Sequence, residues 1–444
     1  MAPTVDGIVS GINTTELINK LMDVARGPIT QMANQQVSLT NKKTKFQELN
    51  TLLGTFQTAL KAVDTEAEFT AFSSSSSQTG IGSTITGAAT PGSHTVNVSS
   101  VASTNIWGSG GFAASDTVLK DGELRVQIGS GAITSVTVDA ATGTNTLSGL
   151  ASHINDNISG LNAWVMNTGD SVAPYQLMVE SADTGTVNSL TMTVNQTGAT
   201  GADLAVSSIR AATDAELTVD TVSITSASNA VTDVLPGLTL NVTNTTTGNA
   251  TLTVSRDNSA MADKVQAVVD AYNDLDTFFD SQTGTASGAI LSGDSTVRTI
   301  QTQLQAQLSA DYSSGDLAGI RSVGLESDKT GVLTFNATTF TTASTGSYSD
   351  MLAVLTDEDG LFGKLLSKVD IVVDTTDGVL NARITSIGKQ VTDLQDRMDK
   401  AEVRMEQYED MLVQQFANME ILMGKYDATK KYLDQQIANW TKDK

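Results

Sequence analysis

The carboxyl-terminal segment carries the pattern that most restricts how this chain can fold. Apolar residues recur there in alternating steps of four and three, which is the heptad seam of a coiled coil. The residues on this seam are Leu380, Ile384, Ile387, Val391, Leu394, Met398, Ala401, Met405, Tyr408 and Leu412. A helix of about 60 residues spans ~90 Å, more than one globular domain offers as a packing surface. The seam therefore predicts a long helix that needs a partner.

Beyond Leu412 the spacing changes and the apolar surface widens. A second consecutive step of four leads to Phe416, a stutter that rotates the seam. The seam then continues through Met419, Met423, Tyr426, Leu433, Ile437 and Trp440, with Lys430 as a polar interruption. Between positions 411 and 426, apolar residues lie on almost every side of the helix, an arrangement that is not stable uncovered in water. We expect this stretch to contact the amino-terminal helix, other copies of the chain or a second protein.

The first predicted helix begins near the amino terminus. Asn13 can cap it, with Glu16 three residues on as in a capping box. One side of this helix carries the stripe Leu17, Leu21 and Val24. Gly27-Pro28 interrupts the pattern, because the residue before a proline avoids the α-helical region. The chain is therefore expected to break between two helices at this point.

A second helix is predicted from Pro28 to about Asp64, since proline is well suited to a first helical turn. Its apolar stripe consists of Met32, Leu39, Phe46, Leu49, Leu53, Phe56, Leu60 and Val63. Gln35 and Lys42 fall in phase with this stripe. The helix is thus expected to be polar along its first part and to join a core along its second part.

The middle of the chain changes to a period of two, which indicates half-buried antiparallel strands. A linker is predicted at FSSSSSQTGIG, residues 72–82, followed by strands at 94–98, 135–138, 216–224, 238–242 and 250–254. One helix is expected among them, from about Leu147 to Ile158. Helical spacing returns at Met261 and again over 297–308, and VGLESDKTGVLTF, residues 323–335, reads as a hairpin with a turn near 329–331.

Composition limits the function classes. The formal charge of −23 opposes binding to nucleic acid or to an anionic membrane surface. Cysteine is absent, which removes thiolate nucleophiles, disulfides and cysteine metal sites. A secretory signal peptide is not expected, because no basic stretch followed by an apolar run opens the sequence. No run of about 18 apolar residues is present either, so no membrane insertion is expected.

Residue patterns for catalysis are also missing. The two histidines, His94 and His153, are far apart in sequence, and no GxSxG, HExxH, P-loop or GxGxxG pattern occurs. DEDG, residues 357–360, has its glycine too early for an EF-hand loop. Chemistry with carboxylates alone stays open in so acidic a chain, but no pattern points to it. We predict no catalytic, metal or cofactor site, and a protein that is not an enzyme.

Several segments together resemble the bacterial flagellar filament cap protein family (FliD, a hook-associated protein). GIVSGINTTELINKLM resembles its amino-terminal signature, and TLSGLASHINDNISGLNAWV resembles the flagellin-hook motif around Ile154-Asn155. Further matches are YQLMVESADTGTVNSLTM, DAELTVDTVSITSASNAVTDVLPGLTLNVTN, ILSGDSTVRTIQ, SVGLESDKTGVLTFN and FANMEILMGKYDATKKYLDQQI. Two departures are Ala25, where the family often has an acidic residue, and Asp220-Thr221, where it often has Asp-Gly. The latter puts a tight type I′ turn in doubt.

The resemblance implies a multidomain α+β fold, with two β-rich domains inserted between the two parts of a helical domain and with terminal coiled-coil helices. The implied segments are 1–42 and 393–444 for a terminal coiled-coil domain, and 43–75 and 258–392 for a helical leg. Residues 76–105 and 208–257 would form an inner β domain, and residues 106–207 an outer one.

The resemblance also implies a capping role at the distal tip of the flagellum, where the protein retains exported flagellin and promotes its folding and insertion. Implied partners are further copies in a ring, usually of about five, flagellin, the junction proteins, and a cytoplasmic export chaperone at the carboxyl-terminal helix. Export would use the flagellar type III apparatus without a cleaved signal peptide. The expected contact residues are Leu17, Leu21, Met32, Leu39, Met405, Leu412, Phe416, Met419, Met423, Tyr426 and Leu433. The alternatives are a flagellin or junction protein, or a surface adhesin with a coiled-coil stalk.

Overall fold

The computed structural model of the protein describes residues 11–87, 89–283 and 288–442. The first four residues of the predicted amino-terminal signature, 7–10, and the side chain of Trp440 lie outside the described residues. The helices are α1 (Thr14–Ala25), α2 (Gly27–Lys61), α3 (Glu66–Phe69), α4 (Leu147–Asn157), α5 (Asn258–Thr283), α6 (Ser295–Leu308), α7 (Ala337–Gly346), α8 (Tyr348–Leu355), α9 (Leu361–Val373) and α10 (Val379–Lys442).

The strands of the first half are β1 (Phe72–Ser76), β2 (Ile81–Ile85), β3 (Gly92–Ser100), β4 (Ile106–Ser109), β5 (Gly122–Ile128), β6 (Thr134–Val138), β7 (Leu161–Asn167), β8 (Tyr175–Ser181) and β9 (Leu190–Gln196). Those of the second half are β10 (Val206–Arg210), β11 (Ala215–Val219), β12 (Val222–Ser226), β13 (Ala230–Leu235), β14 (Leu238–Val242), β15 (Ala250–Arg256), β16 (Leu325–Ser327) and β17 (Leu333–Phe335).

The chain divides into two units, and the first unit contains both ends of the sequence. It comprises Met1–Phe69 and Ser259–Lys444, whereas the second comprises Thr70–Asn258. The helical halves, distant in sequence, therefore form one unit, and the β-rich part is inserted between them. The predicted α+β fold class is confirmed. The break at Gly27-Pro28, the helices after Met261 and over 297–308, and the hairpin over 323–335 are confirmed as well.

The core of the helical unit is built around the second half of α2, which packs against α9 and α10. The fully buried residues of α2 are Phe46, Leu49, Leu53, Phe56 and Leu60. The Phe56 ring lies 6.0 Å from the ring of Tyr272 on α5. Full burial of each such side chain stabilises the fold by roughly 1.5–3 kcal/mol. The predicted stripe of α2 is therefore a core from Phe46 onwards.

The β-rich unit contains two separate cores, both between antiparallel sheets. The sheets β1-β15-β3-β11-β12 and β13-β14-β2 enclose the first core, which includes Val96 and Leu240. The sheets β10-β4-β8-β7 and β6-β5-β9, with α4, enclose the second, which includes Leu124 and Ile154. Four of the five predicted strand stretches and the helix predicted after Leu147 are confirmed, whereas the stretch 216–224 forms two strands, β11 and β12, joined by a turn at Asp220 and Thr221.

The linker predicted at FSSSSSQTGIG is wrong at both ends, since Ile81 and Gly82 begin strand β2 and only 77–80 lie outside the strands. Residues 72–76 form strand β1, which pairs along its whole length with β15, and the Ser73 and Ser255 hydroxyls lie 3.3 Å apart. Serine has little intrinsic preference for a strand, but pairing with a neighbouring strand outweighs such a weak local preference. Only the distant partner segment, about 180 residues further on, makes this a strand.

Three asparagines fasten neighbouring segments by the same two-bond contact. The Asn155 amide, on α4, donates to the carbonyl of Ala163 on β7 and accepts from its N–H, both at 2.7 Å. Asn229 does the same with Ala102, and Asn273 on α5 does it with Leu333 on β17. An asparagine side chain offers one acceptor and two donors, so it can satisfy the backbone groups of a strand residue as another strand would. The Ile154-Asn155 motif thus combines a buried core residue with an edge contact.

The β11–β12 connection forms the tight turn that the departure from Asp-Gly put in doubt. Val219 pairs with Val222, and the two residues between them, Asp220 and Thr221, have φ of +47° and +74°. Positive φ at both positions defines the type I′ turn. The Asp220 carboxylate accepts the Thr95 N–H at 2.8 Å and contacts His94 Nδ1 at 2.7 Å. These hydrogen bonds from His94 and Thr95 lower the pKa of Asp220, so side-chain contacts stabilise the conformation that glycine would otherwise provide.

Thr221→Gly should stabilise the β-rich unit. A β-branched residue at φ +74° is strained, and glycine relieves this strain. We expect the free energy of unfolding to rise by about 1 kcal/mol, measured from the urea midpoint of the β-sheet circular dichroism signal. Thr225→Gly on β12, a regular strand position, is the matched control and should lower the midpoint. A lower midpoint for Thr221→Gly would show that the turn carries no strain.

Residues 106–207 should fold alone. The second core of the β-rich unit draws its fully buried residues from Phe112 to Leu204, all inside this segment. A fragment of this length can bury enough apolar surface for independent stability. The measurement is thermal unfolding followed by circular dichroism, and a cooperative transition with a β-type spectrum is expected. A spectrum without ordered structure would contradict this boundary.

Candidate assembly surface at the chain termini

Helix α1 packs against the middle of α10. Asn13 caps α1 as predicted, since its Oδ1 accepts the Glu16 N–H at 2.9 Å. Ile18 and Met22 are buried and form a small core with Leu412 of α10. Partly buried apolar residues of α10 that join this core are Met405, Tyr408, Val413 and Phe416. The partner of this part of α10 is therefore the amino-terminal helix of the same chain.

The predicted stripe of α1 faces away from α10. Leu17, Leu21 and Val24 are exposed by 39%, 38% and 79%, whereas Ile18 and Met22 are buried. Both stripes have helical spacing and lie side by side on α1, so periodicity could not decide which one packs within the chain. Leu17 and Leu21 are consequently available to another molecule, and their role in such a contact remains a prediction.

The predicted seam of α10 is buried as far as its contact with α1. Its buried residues are Leu380, Ile387, Leu394, Met398, Ala401 and Leu412. The first half of α2, which packs alongside, contributes only half-buried residues such as Met32 and Leu39. Polar contacts replace a core there, with Gln36 Nε2 donating to Gln395 Oε1 at 2.9 Å. This stretch is therefore held less tightly than the core around Phe46.

Beyond Phe416, the apolar face of α10 becomes exposed. Met419 is half-buried, and the large apolar residues that follow are 42–69% exposed. This exposed strip, as we name it, consists of Ile421, Leu422, Met423, Tyr426, Tyr432 and Leu433. The structure thus divides the predicted contact residues into two groups. Met405, Leu412 and Phe416 pack against α1, whereas Met423, Tyr426 and Leu433 lie in the exposed strip.

An ionic cluster, which sequence reasoning missed, joins three helices where the α2 core begins. The side chain of Asp294, which caps α6, is only 3% exposed. Its Oδ2 lies 2.8 Å from Lys42 Nζ of α2 and 3.1 Å from Arg383 Nη2 of α10, while Oδ1 accepts the Thr296 N–H. Both cations lie about 6 Å from the Phe46 ring. In the sequence, the only sign of this cluster was that Lys42 falls in phase with the apolar stripe of α2.

The electrostatics of Asp294 favour its charged form. Burial opposes ionisation, but hydrogen bonds from Lys42 and Arg383 outweigh it and lower the pKa of Asp294. The carboxylate is therefore charged in the folded protein at neutral pH. It links α2, α6 and α10 at the point where the stripe of α2 changes from polar to apolar.

The structure brings no catalytic constellation together in the part of the chain that it describes. His94 lies on β3, beside Asp220, whereas His153 lies on α4. Within the described ranges, no group of three or more His, Asp or Glu side chains could hold a metal ion. Among the described helices, none combines the length and the apolar character needed to cross a bilayer.

Comparison with known proteins identifies the family. Family models of the amino and carboxyl termini of flagellar hook-associated protein 2 match residues 10–105 and 212–428. The chain is 32% identical to flagellar hook-associated protein 2 of Escherichia coli K12, over 98% of this chain and 97% of that protein. It is 25% identical to the B-type flagellar hook-associated protein 2 of Pseudomonas aeruginosa, over 98% of each chain.

A solved structure agrees with these sequence matches. The D1-D2-D3 domains of the Escherichia coli flagellar cap protein FliD align with a TM-score of 0.64 and 30% identity, over 78% of this chain and 99% of that one. The chain belongs to the family of flagellar hook-associated protein 2, the flagellar cap proteins. The predicted role, capping of the flagellar filament, is confirmed, and these relatives are named as structural proteins of the flagellum rather than as enzymes.

Asp294→Asn should destabilise the helical unit by about 2–3 kcal/mol, because Lys42 and Arg383 lose their counter-ion. Asparagine keeps the cap of α6. The folded pKa of Asp294 lies below its unfolded value of about 3.9. Its stabilisation is therefore fully present above pH 4 and is lost as the pH falls through the folded pKa.

The measurement is the urea midpoint of the helical circular dichroism signal at several pH values. The difference between the two proteins should be constant from about pH 5 to 7 and shrink below pH 4. Glu16→Gln, which breaks an exposed pair with Lys20, is the control and should change stability by less than about 0.5 kcal/mol. An Asp294→Asn midpoint equal to that of the wild type would refute this role of the cluster.

Proposed function

We propose that the protein caps the distal end of the filament as a ring-like homo-oligomer of about five copies, using the exposed strip of α10 as its main contact. The single observation that carries this proposal is the change along α10 from a covered to an exposed apolar face. Upstream of Phe416 the face is covered by α1 and α2, and downstream it is exposed. A long apolar helical face of this kind is normally covered by a partner.

The composition of the exposed strip and its surroundings suits more than one partner. Methionines occur at positions 411, 419 and 423, and this flexible side chain adapts to differently shaped surfaces. Before export, an export chaperone would cover the strip in the cytoplasm. After export by the flagellar type III apparatus, other copies of the chain, flagellin and the junction proteins would replace it at the extracellular tip.

The mechanism that follows is structural rather than enzymatic. Each copy would hold incoming flagellin at the tip while it folds and inserts beneath the cap. Leu17, Leu21, Met32 and Leu39 would add contacts from α1 and α2, since they are exposed or half-buried. Flagellin or a junction protein is disfavoured, because both family matches are to flagellar hook-associated protein 2. Among the described residues of the β-rich unit, no feature favours adhesion as the main role.

Met423→Asp combined with Leu433→Asp should abolish assembly without unfolding the chain. Both side chains are exposed in the single chain, so their charges disturb a partner rather than the fold. Sedimentation velocity should show loss of the ring, and a strain carrying only this variant should lose motility and release unpolymerised flagellin. In the wild-type assembly, hydrogen exchange over 419–433 should become slower than in dilute subunit.

Val403→Asp is the matched control. Val403 is also an exposed apolar residue of α10, at 53%, but lies outside the exposed strip. It should assemble and swim like the wild type. Normal rings and normal filaments for the double variant would show that another surface forms the assembly contact.

A further inference from the structure

Asp276 of α5 carries a buried carboxyl group with one unsatisfied oxygen. Asp276 is only 3% exposed. Its Oδ1 is buried and has no hydrogen-bond partner. A buried ionised carboxylate without such a partner is strongly destabilising, whereas the neutral acid is tolerated. The flagellar role described above gives this residue no task.

The hairpin β16–β17 closes over this carboxyl group. Gly331 in the hairpin turn has φ +103°, and a side chain there would place its Cβ 2.8 Å from Asp276 Oδ1 and 3.1 Å from Gln305 Nε2. Glycine is therefore required both by the backbone conformation and by the close approach. The backbone of the turn and the buried carboxyl group lie in direct proximity.

The same face of α5 also fastens the hairpin. Asn273, three residues before Asp276, bonds the N–H and the carbonyl of Leu333 at 2.9 and 2.8 Å. Leu333 itself is buried, at 2% exposure. Residues three apart lie on one face of a helix. The fastening contact and the buried carboxyl group therefore act on neighbouring parts of one hairpin.

The charged groups around Asp276 are negative. Asp280 approaches from α5 and Asp328 from the hairpin turn, while the Tyr272 phenol also lies close on α5. From α6 the facing group is the uncharged amide of Gln305. Asp328 itself is held in the turn, where its Oδ1 accepts from the Thr330 N–H and hydroxyl. Ionised Asp276 would thus face repulsion from the carboxylates of Asp280 and Asp328.

We propose that Asp276 is a proton-sensitive latch of the β16–β17 hairpin: neutral Asp276 permits the hairpin to close on α5, and ionised Asp276 favours its opening. In mild acid the neutral carboxyl group lets the turn at Gly331 close over it. As the pH rises, ionisation places a charge between Asp280, Asp328 and the turn. The hairpin then opens more often, although the contact of Asn273 with Leu333 opposes opening. The packing of this part of the helical unit is thereby coupled to the surrounding pH.

The direction of the pH dependence follows from the change in the pKa of Asp276 on burial. Burial, followed by the charges of Asp280 and Asp328, raises the pKa of Asp276. The unfolded or opened state ionises near pH 3.9, whereas the closed state ionises at higher pH. The closed hairpin is therefore least favoured above the pKa that Asp276 has in that state. The equilibrium constant for opening rises about tenfold per pH unit between the two pKa values.

Hydrogen exchange of peptides covering β16 and β17 in the full chain tests the latch. At pH 7 these peptides should exchange about tenfold more slowly or slower still in Asp276→Asn than in the wild type. At pH 4 the two proteins should agree. Comparing the two at each pH removes the intrinsic pH dependence of exchange, which is common to both.

Two further variants make the result decisive. Asp274→Asn removes an equal charge from an exposed position of α5 and should exchange like the wild type at both pH values. Gly331→Ala prevents closure of the turn and should give fast exchange at both. Equal exchange of Asp276→Asn and wild type across the pH range would overturn the proposal. Faster exchange in Asp276→Asn at pH 7 would overturn it too, because the ionised carboxylate would then stabilise the hairpin.

Discussion

The packing of α2 against α10 is the contact on which the rest of this structure depends. In the sequence, α2 precedes the β-rich insertion and α10 follows it. Their contact joins the two parts of the helical unit. The apolar part of this contact begins at Phe46, where the Asp294 cluster also lies. A buried ion pair contributes little net stability by itself. Here the Asp294 carboxylate joins Lys42 of α2 to Arg383 of α10.

The two directions along α2 from this cluster differ in physical character. From Phe46 to Leu60, side chains of α2 are fully buried in a core with α9 and with Tyr272 of α5. In the other direction, half-buried residues and the Gln36–Gln395 contact hold α2 against α10, and α1 adds a small core of its own Ile18 and Met22 with Leu412 of α10. Local stability is expected to fall in this direction, because few apolar groups are buried there. A terminal segment of this kind can exchange contacts within the chain for contacts with a partner at low cost.

The helical and β-rich units use one device in common. Asparagine side chains satisfy the backbone groups of Ala163 on β7, of Leu333 on β17 and of Ala102, which follows β3. In each place the amide occupies hydrogen-bonding groups that would otherwise need water or another strand. Such contacts also protect strand edges from pairing with other chains.

The sequence by itself determined the elements and the general plan of the protein. The heptad seam, the stripe of α2 from Phe46, the break at Gly27-Pro28 and the alternating strands follow from local periodicity and turn chemistry, and these depend only on neighbouring residues. The ordered set of motifs also led to the cap family. Only the tertiary structure decided which stripe of α1 packs, because two adjacent stripes had equal spacing. It alone made a strand of the serines of β1, assigned Asp294 its two cations and placed Asp276 beside two other carboxylates. In each case the deciding group comes from a segment distant in sequence, and no local pattern specifies which distant segment will lie alongside.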